Sequence, residues 1–121
     1  MQVKVEGLTE LKKALTKKKV AVEKIASAVA KAGEKAEQVA KELVPKESGA
    51  LYNSIQHKSL SGGKTIIIDA PAKNSKGVEY AQYVEFGTKT HGPAQPFMRP
   101  AQEEGKKVLI EECKKLVEEK W

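Results

Sequence analysis

An α+β fold in a single domain, with a long N-terminal helix and a C-terminal helix packed on a small antiparallel β-sheet, is predicted by three features of this sequence. Apolar residues from Leu8 to Leu43 recur at steps of three and four, the signature of one helical face. Residues 55–60 and 64–69 flank Ser61-Gly62-Gly63, a hairpin by turn chemistry and β-branched content. A second amphipathic run begins at Pro100. The length of 121 residues suits one domain, 1–121. Aromatics are only 5% of the chain, so the core must come from Val, Ile, Leu and Ala, and part of the apolar surface is left for a partner chain.

The elements follow in order. Gln2-Val3-Lys4-Val5-Glu6 alternates like a short strand, and Gly7 stops it. Thr9 caps the helix that follows, with Glu10 in its first turn. The stripe runs through Leu8, Leu11, Leu15, Val22, Ile25, Val29, Ala32, Ala36, Val39 and Leu43. Lys18 fills one missing position and predicts a bend or an end near residues 17–19. The stripe fits either packing on the domain's own sheet or a coiled-coil seam between subunits; the thin Ala32 and Ala36 favour the sheet. Pro45 closes the helix.

Ser48 caps a short helical turn through Asn53, and the hairpin comes next. Residues 71–77, with Lys73, Asn74, Ser75 and Lys76, make a polar loop expected to project and move. Tyr80 to Phe86 is ambiguous. Tyr80, Tyr83 and Val84 fit helical spacing, whereas Val84 and Phe86 fit alternation, and the preferred reading is a third strand preceded by a helical turn. An extended loop then spans 87–96. The last helix starts at Pro100 and places Leu109, Cys113, Leu116 and Val117 on one face, with Glu111 and Lys115 paired at i,i+4. Trp121 is either a tail or an anchor onto a neighbour.

The formal net charge of +6 is concentrated in the first half, where twelve lysines face seven acidic residues, against ten basic and nine acidic residues in 61–121. Lys12, Lys13, Lys17, Lys18 and Lys19 make the densest patch. A solvated helix face is the preferred reading over contact with nucleic-acid phosphate or an acidic protein surface, because duplex grooves are usually read by Arg and aromatics interleaved and the sole Arg is the distant Arg99. No segment approaches the length that crosses a bilayer, and the N-terminus lacks a signal-peptide centre, so a cytosolic site of synthesis is expected.

Catalytic chemistry finds little support. His57 and His91 have no ligand partner at metal spacing, so no metal or cofactor site is expected. Cys113 reads as a small core hydrophobe. Gly63-Lys64-Thr65 matches the end of a phosphate-binding loop, but Lys58 stands where its first Gly is required. Glu85 lacks a second catalytic group. It is better read as a hydrogen-bonding partner for loop backbone or for Arg99, pinning the loop while Phe86 and Phe97 bury its two ends.

Three segments carry a family resemblance: Val44-Pro45-Lys46-Glu47-Ser48-Gly49-Ala50-Leu51-Tyr52-Asn53-Ser54-Ile55, Tyr80-Ala81-Gln82-Tyr83-Val84-Glu85-Phe86-Gly87-Thr88 and Gln95-Pro96-Phe97-Met98-Arg99-Pro100-Ala101. Four of the six aromatics lie in the last two. In order and spacing they resemble the Hong Kong 97-type gene-product-ten family of tailed phages, with Glu47-Ser48 for Asp-Thr, Met98 for Leu and a short loop before Pro96. The resemblance extends to the flanking helices. It implies a non-enzymatic structural protein of the neck or tail-completion region, with no cofactor or small-molecule substrate, assembled in the bacterial cytoplasm and resident in the virion.

Its implied partners are other neck or tail proteins and further copies in a ring, with DNA contact not required. The residues singled out as motif and loop are Gly49, Leu51, Tyr80, Tyr83, Glu85, Phe86, Gly87, Thr88, Pro96, Phe97, Arg99 and Pro100. Candidate assembly surfaces are Thr90, His91 and Gly92, the Lys73, Asn74 and Lys76 loop, and Trp121.

Overall fold

The computed structural model describes residues 1–5, 22–46, 49–60, 65–89 and 92–119. The element order is β1 (Gln2–Val5), α1 (Val22–Leu43), α2 (Ala50–Ser54), β2 (Gln56–Leu60), β3 (Thr65–Asp69), α3 (Ala81–Phe86) and α4 (Met98–Glu119). The three strands form one antiparallel sheet in the order β1-β3-β2. The α+β expectation is met, with the apolar β3, Thr65-Ile66-Ile67-Ile68-Asp69, at the sheet centre.

Register fixes the two faces. Val5, Ile66 and Ser59 lie in one row and Val3, Ile68 and His57 in the next. Val5, Ile66 and Ile68 are buried in these rows, which face the helices. Lys4, Ile67 and Lys58 form a row on the other face, where both lysines are exposed.

Helices α1 and α4 run antiparallel, since Lys31 meets Glu112 and Ala36 meets Gly105. The stripe packs within the domain, most extensively on α4 and also on β2 and β3. Small residues permit the close approach: a Cβ at Gly105 would lie 3.0 Å from the Ala36 Cβ and 3.3 Å from the Ala32 carbonyl oxygen. Gly33 serves the same purpose against the sheet, because a Cβ there would stand 2.6 Å from Cδ2 of His57. The His57 Nδ1 in turn meets Glu37 Oε1 at 3.2 Å. Gln102 Nε2 donates to the Lys4 carbonyl at 2.6 Å, tying α4 to β1.

Several expectations are corrected. The predicted strand at 80–86 is instead the helix α3, Ala81–Phe86, and the strand that joins the hairpin is β1. Leu43 is 48% exposed while Val44 is buried, because the stripe rotates onto Ala28, Ala40 and Val44 alongside its predicted members. Lys115 pairs with Glu112 at 3.5 Å, and Glu112 also receives Lys31 across the helix pair at 3.4 Å. The predicted Thr9 and Ser48 caps, the Leu8–Leu15 part of the stripe, the Lys18 bend, the 61–63 turn and the Lys12–Lys19 patch lie outside the described residues.

Candidate functional site: a capped loop and helix start

Helix α3 turns on Tyr80, whose carbonyl accepts from Tyr83 N at 3.0 Å, and ends where Gly87 N donates to Tyr83 O at 2.9 Å. Successive helical residues point about 100° apart. Ala81 and Glu85, four apart, therefore share the buried side, and Phe86 is rotated away to 61% exposure. The predicted burial of both loop ends holds for Phe97, which is fully buried, and fails for Phe86 because the segment is helical.

Glu85 is only 3% exposed, and its carboxylate accounts for the start of α4. Oε2 accepts from Phe97 N and Met98 N, each at 2.8 Å, and Oε1 accepts from Arg99 N at 2.9 Å. Four N–H groups at a helix start have no intrahelical partner. Three are bonded to Glu85, and the fourth position, Pro100, has no N–H. Ala101 N then makes the first helical bond, to Phe97 O at 3.3 Å. Negative charge also suits this end of the helix dipole. The helix accordingly starts at Met98, two residues before the predicted Pro100. Arg99 engages Glu85 through its backbone N–H, and the residue is otherwise exposed.

Gly87 has φ 75 and ψ 157, a conformation essentially confined to glycine. A Cβ at this position would meet Ala94 N at 2.6 Å, Gly92 O at 3.0 Å and the Pro93 carbonyl carbon at 3.0 Å. Thr88 N donates to Gly92 O at 3.0 Å, and Gln95 N donates to Val84 O at 2.8 Å. The connection expected to be extended is thus folded back on α3. Pro96 is exposed, Pro100 half-buried, and Gly92 also has a positive φ of 82. Thr90, His91 and Trp121 lie outside the described residues.

The remaining motif residues divide by place. Gly49, at φ 76, precedes α2, and Leu51 of that helix is buried. Tyr80 and Tyr83 are half-buried. Lys73, Asn74 and Lys76 are exposed, on a loop closed by the Asn74 side chain, whose Oδ1 accepts from Lys76 N and Val78 N at 2.9 and 3.1 Å.

Two charged clusters escaped the sequence reading. The Met1 ammonium bonds to Glu79 and lies 3.9 Å from Asp69 Oδ1, beside an open hollow of about 490 Å³ lined by Gln2, Pro71 and Gln82 as well. The hydrogen bond from that ammonium holds the Glu79 carboxyl below its ordinary value. Burial acts to raise Glu112, but Lys115 and Lys31 outweigh it and hold the carboxyl low. Burial, with the Glu112 charge, pushes the Cys113 thiol up. Sequence offered no signal for the Met1 ammonium meeting Asp69 and Glu79 or for Lys31 meeting Glu112, since each joins residues more than 65 positions apart. Among the described residues no group of His, Cys, Asp and Glu has the arrangement of a metal site. Among them, too, no helix is long and apolar enough to cross a membrane.

Residues 8–87 match the family described as "Bacteriophage HK97-gp10, putative tail-component". The match ends at Gly87, so the Gln95–Ala101 segment and α4, which the sequence resemblance included, fall beyond it. No curated protein and no solved structure matches the chain. The match takes in about two thirds of the 121 residues, and the chain belongs to this family of phage tail components.

Proposed function

We propose that the chain is a non-enzymatic structural protein of a tailed phage or prophage, acting in head–tail joining or tail completion through contacts between subunits. The observation that carries this reading is the family match over residues 8–87. The geometry is consistent with it: Glu85, the acid nearest the conspicuous loop, has both oxygens bonded to backbone N–H groups of α4 and acts as a cap. The protein would work in the virion, having been assembled in the bacterial cytoplasm, as a ring of copies touching other neck or tail proteins. In a ring each subunit presents unlike patches to its two neighbours, and closure fixes the copy number. The candidate patches are the 87–96 connection, the Lys73–Lys76 loop and Trp121. DNA contact is no requirement.

The test is deletion of the gene followed by electron microscopy of the particles. Loss of the protein should leave heads and tails unjoined or tails incomplete, and the wild-type chain supplied in trans should restore infectious particles. Deletion of Thr90-His91-Gly92 should fail to restore them while the purified variant stays folded. Normal particles without the protein would refute the reading.

A further inference from the structure

Met1 continues the β1–β3 ladder by one pair: Ala70 N donates to Met1 O at 2.9 Å, and the Met1 ammonium donates to Ala70 O at 3.4 Å. An ordinary backbone N–H in that place would make the same pair. The other contacts of this nitrogen need a second N–H and a charge. It also donates to Glu79 Oε1, and it lies 3.9 Å from Oδ1 of Asp69. Asp69 is only 8% exposed, and its Oδ1 is buried without a hydrogen-bond donor, while Gln2 Nε2 reaches Oδ2 at 3.4 Å. The ammonium is thus the cation beside a buried carboxylate, which a buried charge needs.

Glu79 ends the polar loop that begins at Pro71. Inside the loop Lys73 bridges Glu79, Asn74 N donates to Val78 O and Gly77 N donates to Asn74 O, while Asn74 Oδ1 takes Lys76 N and Val78 N. These bonds hold the loop's own shape. Residues 73–78 are all exposed, so little buried surface fixes where that shape sits. Among the described residues, the hydrogen bond that ties residues 71–79 to the body of the domain is the one from the Met1 ammonium to Glu79.

We propose that this contact is a latch, in which a free, charged Met1 amine sets the position of the 71–79 loop. Any group attached to the nitrogen turns it into an amide. An amide keeps one N–H, which Ala70 O takes, has none for Glu79 and brings no charge to Asp69. The sheet therefore stays paired while the loop swings free with its internal bonds intact. Lys73, Asn74 and Lys76 ride on that loop, so the state of the amine governs how a candidate contact surface is presented.

Site-resolved tryptic cleavage of the full chain tests the latch, comparing the wild type with a chain carrying Gly-Ser ahead of Met1, with Glu79→Gln, and with a control carrying Gly-Ser after Trp121. Cleavage after Lys73 and Lys76 should rise roughly fivefold or more in the N-terminally extended chain and in Glu79→Gln, because cleavage follows the open population. The control should match the wild type, and far-UV circular dichroism should be the same in all four. Carboxyl NMR should find the Glu79 midpoint higher in the N-terminally extended chain, since the hydrogen bond from the ammonium is the largest cause of its low value and Lys73 would act alone. Wild-type cleavage in both variants, an unmoved Glu79 midpoint or an equal rise in the control overturns the latch. Loss of the folded spectrum in both variants overturns it as well, by making the contact a general prop; where one variant stays folded, its cleavage decides. These readouts use the purified chain alone, so they are independent of the gene-deletion phenotype.

Discussion

Replacing Glu85 with Ala removes the acceptor of three backbone N–H groups at the start of α4, those of Phe97, Met98 and Arg99, at 2.8, 2.8 and 2.9 Å. A hydrogen bond to a charged group contributes about 1.5–3 kcal/mol, and three that share one carboxylate are not additive, so the expected loss is roughly 3–6 kcal/mol. Whole domains are stable by only about 5–15 kcal/mol. For a chain of this length, each kcal/mol corresponds to roughly 3–5 °C, and Tm should fall by about 10–30 °C. Glu85→Gln keeps one acceptor oxygen but turns an NH2 toward a donor, and should fall between wild type and Ala. Thermal unfolding followed by circular dichroism gives the loss, and amide exchange at Phe97, Met98 and Arg99 locates it. A fall in Tm below about 3 °C for Glu85→Ala, or exchange at these three amides no faster than in wild type, would refute the capping argument.

Three further outcomes follow from the packing and charge. Gly87→Val forces a β-branched residue into a glycine conformation costing about 1–3 kcal/mol and drives its Cβ to within 2.6 Å of Ala94 N, so denaturant unfolding should show a loss of at least about 3 kcal/mol. Unchanged stability would remove the folded-back connection. Gly105→Leu should cost about 1–3 kcal/mol by overpacking against Ala36 and Ala32, more than any gain in helix propensity, and equal or raised stability would mean that α1 and α4 separate at no cost. The Glu112 carboxyl, held low in the folded chain, contributes stability above its unfolded pKa that is lost as pH falls through the lower folded value. Carboxyl NMR should find its midpoint below the ordinary 4.5, and replacing Lys31 and Lys115 with Met should raise it, because burial then acts unopposed; no movement would dismiss the Lys31 and Lys115 pairing.

Local pattern carried the reading where one face of one element decided the outcome. Val29, Ala32, Ala36 and Val39 announced the buried side of α1, and the β-branched run at 65–69 announced β3. Ala32 and Ala36 pointed to the sheet, and the stripe does pack within the domain, but these two meet chiefly α4, which sequence could not name because its partner residue is Gly105. The segment 80–86 misled because so short a run can be fitted to either period, and the deciding facts lie elsewhere in the chain: Glu85 is needed inward by the amides of residues 97–99. That long-range demand also placed Phe86 outside. The predicted start of α4 at Pro100 was two residues late for the same reason, since a cap supplied from another element leaves no mark at Pro96 or Phe97.

The central claim, that this chain works as a built-in part of the particle, is tested most directly by quantitative mass spectrometry of purified virions from the phage or prophage that encodes it. The account predicts that the chain is present in finished particles in a fixed ratio to the other neck and tail proteins, as a closed ring requires. Infectious particles that are free of it, or that carry it in variable trace amounts, would contradict the account.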